Sequence, residues 1–420
     1  MNEQTAISPP ARLRVAARRW SDLLHKWLGF SVGAILVIAG LTGTLLAFYV
    51  EIERTMYLHM QTSNPRALPS SYEAIYQRLA QLPTEPPGGI WRIEIPPDGG
   101  VITSRYSAPI ETGVRTRMVT LDPITLELLR NALWNDTFFT WIYDLHMYLQ
   151  FGTIATIGKI GMGIATLVML IMLLSGVGSW LLPNGGLRAK LRLRWNNASV
   201  PRRTYDIHKL AGAYTLILLT LTVGTGAMIT LSTQVRPLLN SVSPLKPTEP
   251  PVSSSVPFKG AQRIPVDEVL AKGPAYFPGS RVVWVRVPTS PTQTYDLQIR
   301  QAGAPMNRFP RTHLYLDQYT GSVLAVYDPK LDGVGDTILN WLVPLHDGKA
   351  FGMVGRVWVM LLGLMPLVMF VSGFMRWSQK RTARARGSRL RDRTSDLRRE
   401  YGTVLDLDQP VGDLVKRKSQ

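Results

Sequence analysis

Four stretches of this chain are apolar over the roughly 20 residues that a helix needs to cross a hydrocarbon core, at about residues 27–50, 157–182, 211–232 and 353–375. A chain built this way is a polytopic membrane protein. Inside lipid the backbone must satisfy its own hydrogen bonds, so each stretch is expected to be a helix. Pro366 is expected to kink the fourth, a break that neighbouring helices tolerate. The first stretch follows a basic lead with Arg12, Arg14, Arg18, Arg19 and Lys26, as a signal sequence would. It is too long for that, and no small-residue cleavage site follows LLAFYVEIE, so it reads as an uncleaved anchor.

The net charge of +18 is not spread evenly. Basic residues crowd before the first span, in the loop PNGGLRAKLRLRWNNASVPRRTYD between the second and third, and in the tail beginning RWSQKRTARARGSRLRDR. Positive flanks stay on the cytoplasmic side, which accounts for the charge without nucleic acid. The chain then divides into a cytoplasmic lead (1–26), span 1 (27–50), an exterior segment (51–139), a histidine segment with span 2 (140–182) and a basic cytoplasmic loop (183–207). It continues with span 3 (208–232), a second exterior segment (233–335), a histidine segment with span 4 (336–378) and a basic cytoplasmic tail (379–420).

The two exterior segments look like copies of one small α+β unit. In the first, SYEAIYQRLAQL has helical periodicity and precedes the alternating stretches GIWRIEIP, GVITSRYS and TRMVTLD. In the second, VDEVLAKGPAYF precedes SRVVWVRVP, QTYDLQIR and THLYLDQYTGSVLAVYD. Each unit closes on L-D-x-x-T, at Leu121, Asp122 and Thr125 and again at Leu316, Asp317 and Thr320, where the Asp and Thr side chains are expected to bond the backbone of a turn. Residues 243–258, rich in Pro and Ser, read as a tether into the second unit.

The repetition reaches the histidines. Residues 141–152, WIYDLHMYLQFG, and 341–352, WLVPLHDGKAFG, share the frame W-x4-H-x4-F-G around His146 and His346. LHKWLGF around His25 matches IHKLAGAY around His208, and Thr42-Gly43 and Thr225-Gly226 follow at equal distances. Ser175-Gly176 with Trp180 likewise matches Ser372-Gly373 with Trp377. The topology puts His25 and His208 at the cytoplasmic ends of spans 1 and 3, and His146 and His346 at the exterior ends of spans 2 and 4. Each side of the membrane thus receives two histidines on different helices, and ionisable residues at membrane depth are functional candidates.

Two imidazoles on opposed helices of a bundle can supply both axial ligands of a haem. Zinc or copper sites call for three or more ligands at one point, and neither H-x-x-x-H nor H-E-x-x-H occurs. The absence of cysteine excludes covalent c-type attachment, iron–sulfur clusters and disulfides. Gly29, Gly33, Gly152, Gly212 and Gly352 could admit a flat macrocycle or serve close helix packing. Lys159 and Arg356, repeated as Gly-Lys and Gly-Arg, could meet haem propionates or snorkel to headgroups. His59 and His313 have no repeat partner and read as domain residues.

The LHKWLGF and IHKLAGAY segments, the two W-x4-H-x4-F-G frames and the D-x-x-T-G-x-V-L ending at Asp317 resemble the PepSY-associated transmembrane family, which includes iron-regulated membrane proteins and ferric-siderophore reductases of the bacterial inner membrane. The first unit departs from that ending, with Leu126 where the family has Gly. The resemblance implies a membrane α-helical fold of four spans from two tandem repeats, with two PepSY-like periplasmic domains. It also implies two b-type haems and electron delivery to ferric siderophores in the periplasm.

On that reading the protein is an inner-membrane reductase, with His25 and His208 ligating a cytoplasmic-side haem and His146 and His346 an exterior-side one. No nucleotide fingerprint such as G-x-G-x-x-G after a strand stands out, so the electron donor lies outside the chain. A PepSY-domain accessory or peptide-binding protein and an iron-chelate permease are the competing readings. The topology is checked by labelling introduced cysteines: residues near 100 and 290 are expected to react from outside, and residue 195 and the C-terminus only from within. Exterior labelling of the 183–207 loop would undo the histidine pairing as well.

Overall fold

A computed structural model describes residues 9–57, 62, 64, 66–111, 113–151, 155–183, 186–192, 199–248, 250, 252–255 and 261–401. Among them, four helices are long and apolar enough to cross a membrane. They are α1 (Pro9–Leu46), α5 (Ala155–Leu181), α7 (Val200–Thr230) and α11 (Gly352–Tyr401). The helix of α1 starts well before the apolar run and that of α11 runs far beyond it, because the flanking sequences are rich in Ala, Arg and Leu, all strong helix formers.

In the bundle α1 packs on α5 and α11, and α7 packs on the same two, so α1 and α7 lie on one diagonal. Leu36, Met169, Leu173 and Leu219 are buried where α1, α5 and α7 meet. At the α1–α11 seam Gly40 and Gly363 bring the two backbones into direct contact, Pro366 packs beside them, and the Thr44 hydroxyl donates to the Met360 carbonyl at 2.9 Å. A side chain at either glycine would force these helices apart.

Outside the bundle, the short helices α2 (Tyr49–Met56) and α8 (Ser232–Val242) continue from α1 and α7. The first α+β unit comprises α3 (Tyr72–Ala80), β1 (Ile90–Glu94), β2 (Ile102–Ile110), β3 (Gly113–Leu121) and β4 (Leu128–Leu133). Helix α4 (Phe138–Tyr148) leads back to α5, and α6 (Leu187–Lys190) lies in the basic loop. The second unit comprises α9 (Val266–Tyr276), β5 (Arg281–Val287), β6 (Tyr295–Arg300), β7 (Thr312–Leu316) and β8 (Val323–Tyr327), and α10 (Val334–His346) leads to α11.

The two units are not separate domains. Their strands form one eight-stranded antiparallel sheet in the order β4-β3-β2-β1-β5-β6-β7-β8, joined where Trp91, Arg92, Ile93 and Glu94 pair with Val287, Arg286, Val285 and Trp284. Each unit alone would leave its first strand as an open edge, and the junction covers both edges at once. Strand β4 was not legible, because LLRNAL does not alternate, and the last stretch of the second unit divides into β7 and β8 at the Asp317 turn.

Helices α3 and α9 lie side by side on one face of the sheet. Ile75, Leu79, Val266 and Val269 from these helices are fully buried against Ile93, Val285, Leu297 and Leu314. Each helix also caps the other. The Asp267 carboxylate of α9 accepts from the backbone N–H groups of Tyr72 (2.8 Å) and Glu73 (3.1 Å) and from the Ser71 hydroxyl (2.6 Å), while Glu73 of α3 accepts from the Val266 N–H at 2.8 Å. Carboxylates at helix N-termini satisfy orphan donors and oppose the helix dipole favourably.

The opposite face is polar and turns toward the helix ends. Arg308 joins Glu94 (2.8 Å) and the Tyr49 hydroxyl (2.9 Å), Arg130 pairs with Glu53 (2.9 Å), and Trp134 donates to Asp144 of α4 (2.9 Å).

Both L-D-x-x-T segments are turns closed by their aspartates. Asp122 accepts from the N–H groups of Ile124 (2.9 Å) and Thr125 (3.0 Å); Asp317 accepts from those of Tyr319 (2.8 Å), Thr320 (2.9 Å) and Ser255 (2.6 Å). Burial pushes the Asp317 carboxyl up, and these N–H donors more than reverse it, holding it well below the usual carboxylate range. Asp317→Ala is expected to destabilise the sheet by about 1–3 kcal/mol, and Asp122→Ala by less, read from the urea midpoint by tryptophan fluorescence. With a depressed folded pKa, the Asp317 contribution is complete above roughly pH 4 and is lost as pH falls through the folded value, so the gap between wild type and Asp317→Ala should narrow only in acid.

Candidate functional site

The structure brings the four repeated histidines together as two pairs. His25 of α1 meets His208 of α7 across the diagonal, with ring centroids 5.9 Å apart. His146, near the end of α4, meets His346, the last residue of α10, with centroids 6.2 Å apart. Along α1, the 18 residues from His25 to Gly43, which touches His146, span roughly 27 Å. The two pairs are thus separated by close to the hydrocarbon thickness of a bilayer.

Each histidine is held by a helix other than its own, through a hydroxyl-glycine dipeptide. Nδ1 of His25 bonds the Met172 carbonyl (3.0 Å) and Ser175 Oγ (3.4 Å) of α5, with Gly176 beneath the ring. Nδ1 of His208 bonds Ser372 Oγ of α11 (2.9 Å), with Gly373 beneath it. Nδ1 of His146 bonds the Ala39 carbonyl and Thr42 Oγ1 of α1, both at 3.0 Å, against Gly43. Nδ1 of His346 bonds the Thr222 carbonyl (2.8 Å) and Thr225 Oγ1 (3.3 Å) of α7, against Gly226.

This arrangement fixes the tautomer. A carbonyl can only accept, and each of the four hydroxyls donates its own hydrogen to a carbonyl one turn back, as Ser372 does to Val368 (2.6 Å) and Thr42 to Ile38 (2.8 Å). Nδ1 must therefore carry the proton, which leaves the Nε2 lone pair available as a ligand. Anchoring of the far ring nitrogen by a carbonyl or hydroxyl is the support that metal-ligating histidines need.

The spacing suits a metal between the rings. Bonds of about 2 Å on each side, plus roughly 1 Å from each nitrogen to its ring centre, put two centroids about 6 Å apart. Among the described residues no third His, Asp or Glu joins either pair to form a metal-binding group. A two-ligand set, half-buried where helices meet and flanked by glycines, fits haem and does not fit a three- or four-ligand zinc centre.

Local sequence explains how the His146–His346 pair is aimed. Thr137 and Thr140 form a capping box that starts α4, and the chain leaves α4 through Leu149 and Gln150 in the left-handed region. After α10, Gly348 at φ 76° turns the chain so tightly that its own backbone touches that of Gly355 on α11. A Cβ at Gly348 would collide with the Gly355 carbonyl, so the repeated glycines before Lys159 and Arg356 serve the fold-back of the histidine segments.

Other candidates have different surroundings. Gly29, Gly33 and Gly212 face Met172, Phe370 and Met369, which is ordinary helix packing, and Gly152 lies outside the described residues. Lys159 donates to Ser232 Oγ at 3.1 Å. Arg356 pairs with Glu51 at 2.7 Å and donates to the Ala47 carbonyl. His313 sits on β7 with Nδ1 on Asp296 at 2.8 Å, and His59 lies outside the described residues. The four hydroxyl-glycine pairs were visible in the sequence as repeats, but their role appears only when each is seen under a histidine from elsewhere in the chain.

A family model described as the PepSY-associated TM region matches residues 23–380. Comparison with curated proteins found no match.

The glycine cradles give a graded test. A Cβ at Gly226 would lie 2.9 Å from His346 Cε1, tighter than real contacts, whereas one at Gly373 would lie 3.4 Å from His208 Cε1, an ordinary contact. Gly226→Ala is expected to displace His346 and lower the thermal unfolding midpoint, and Gly373→Ala to leave it unchanged. Equal tolerance at the two positions would contradict the cradle geometry.

Proposed function

Because the chain belongs to the PepSY-associated transmembrane family, and because its four repeated histidines form two supported pairs about a bilayer's thickness apart, we propose that it is a dihaem b-type reductase of the bacterial inner membrane. Its substrate is Fe(III) in a periplasmic chelate of the siderophore type. The observation that carries this reading is the pair geometry, with centroids 5.9 and 6.2 Å apart and each Nδ1 anchored on a neighbouring helix.

His25 and His208 would hold one haem by Nε2, and His146 and His346 the other. Bound in this way, haem would supply a one-electron carrier. The protein's share of the work is rigidity. Ser175, Ser372, Thr42 and Thr225 keep each imidazole in one tautomer and one orientation, and the glycines keep it against the neighbouring helix. The chain contains no cysteine, so attachment is non-covalent. The donor is a separate molecule on the cytoplasmic side.

The sheet lies over the outer pair with its polar face inward, so a bulky polar chelate can approach the outer haem edge without entering hydrocarbon. One electron reduces Fe(III) to Fe(II), which hard oxygen donors hold less well, and the iron is released for uptake.

The test uses protein reduced with dithionite and freed of excess reductant. Ferric chelates are expected to reoxidise the haems while a ferrous chelator traps Fe(II). His146→Ala and His346→Ala should lose this reaction even where the inner haem remains reducible. If a range of ferric chelates leaves the haems reduced while a quinone oxidises them quickly, the protein is an electron carrier with a different acceptor.

A further inference from the structure

The two halves of the sheet differ at one place where the repeat would make them alike. In the first half, Arg130 on β4 pairs with Glu53 on α2 at 2.9 Å, closing the space between sheet and helix. Counting from the paired histidines, Glu53 corresponds to Arg236 on α8; counting from the turn aspartates, Arg130 corresponds to Ala325 on β8. The helix position has thus changed sign and its partner on the sheet has lost its side chain beyond Cβ. In the second half a cavity of about 230 Å³ lies beneath the sheet, between β7, β8 and the helices α7, α8 and α10.

The charge in this cavity is not balanced. Arg236 and Arg311 both line it and act on each other as like charges. Among the described residues neither has a carboxylate within salt-bridge reach, and Arg236 makes a single bond, to the Lys246 carbonyl at 3.0 Å. One acid, Asp336, shares the cavity wall with Arg236, Arg311 and Lys246, so the lining keeps a positive excess, and the acids around it already have partners. Asp336 accepts from the Lys246 N–H at 3.1 Å, Asp332 takes the Lys246 ammonium at 2.7 Å, and Asp296 takes His313 at 2.8 Å. In the first half the position of Arg311 is held by Thr116, so the second cation is also particular to this half.

The location is equally specific. Val343, on the cavity wall, is one turn of α10 from His346, and Met228 is two residues beyond Gly226, which supports the same histidine. The cavity wall thus comes within about one helical turn of His346, roughly 5 Å along α10. Pro247 and Thr248 are exposed at the rim, so the cavity is reached from outside the bundle.

Two guanidinium groups present planar forks of N–H donors that match a carboxylate. We propose that this cavity is the substrate site of the reductase described above, and that it takes a carboxylate arm of an anionic ferric chelate of the hydroxycarboxylate class, held between Arg236 and Arg311. The volume admits one arm and not a whole chelate, which leaves the iron at the rim, beside the outer haem edge. Neutral chelates lack the group that the cavity recognises. The proposal rests on the reductase reading, but binding can be measured without electron transfer.

The experiment measures binding of gallium(III) citrate, a redox-inert analogue of ferric citrate, to the full-length haem-loaded protein by equilibrium dialysis. A neutral gallium trihydroxamate serves as the comparison, and the absorption spectrum of both haems reports integrity. Saturable binding of the citrate complex is expected, weakened by salt. Arg311→Gln and Arg236→Gln should each weaken it by about tenfold or more, as removal of a charge-assisted hydrogen-bonding group does, with both haem spectra and the trihydroxamate unaffected. Arg311→Lys, which keeps charge without the fork, should fall between. Absence of citrate binding, or equal binding by wild type and the Gln variants, overturns the proposal. So does unchanged citrate binding with a shifted potential of the outer haem, which would assign the arginines to its propionates. Intact, arginine-dependent binding in a protein whose reduced haems no ferric chelate oxidises would sink the reductase reading and leave the anion site standing.

Discussion

The structure depends on one interaction used four times, in which an imidazole from one helix is seated on a hydroxyl and a glycine of the next. The hydroxyl spends its hydrogen on its own helix and accepts from Nδ1, so Nε2 is left as the free lone pair. The glycine lets the ring approach the backbone closely, to within contact of Cε1 at all four sites. Because α1 carries one histidine and one cradle, it links the two pairs within a single rigid rod, and α7 does the same from the opposite corner of the bundle. In a bilayer such polar contacts gain no help from hydrophobic burial between helices, so close packing at small residues carries them.

The exterior half obeys a related economy. A single four-stranded meander would expose an edge strand, and two of them joined at β1 and β5 do not expose that edge. Reciprocal capping by Asp267 and Glu73 ties the two helices over that junction, so the repeats are locked to one another outside the membrane as well as within it. The consequence for function is positional: a continuous sheet with its polar face inward forms a roof over the outer histidine pair, which two loosely tethered domains could not do. The two halves share a sequence pattern, and where they depart from it, at Arg236, Arg311 and Ala325, a cavity lies beneath the second half of the sheet.

Much of this was legible in the sequence. The apolar runs, the basic flanks and the repeated frames around His25, His146, His208 and His346 define spans, repeat and candidate ligands, because each is a local pattern with a direct physical cause. The turn aspartates were readable for the same reason, since Asp122 and Asp317 bond residues two and three positions on. What was not legible required contacts between distant parts of the chain. Edge-to-edge pairing of Ile93 with Val285 leaves no trace in either strand alone, and β4 lacks the alternation that marks the others. Of the glycines that the sequence left open between a macrocycle and helix packing, Gly29, Gly33 and Gly212 face side chains of neighbouring helices, while those under the imidazoles come from other helices.

The central claim is that each histidine pair is an axial ligand set. Its most direct test is the haem stoichiometry and spin state of the purified wild-type protein, by pyridine haemochrome and low-temperature EPR. The account predicts two non-covalent b haems per chain, both low-spin with bis-imidazole signals and unreactive toward carbon monoxide when reduced. A colourless protein, a single haem, or a high-spin centre that binds carbon monoxide would contradict it.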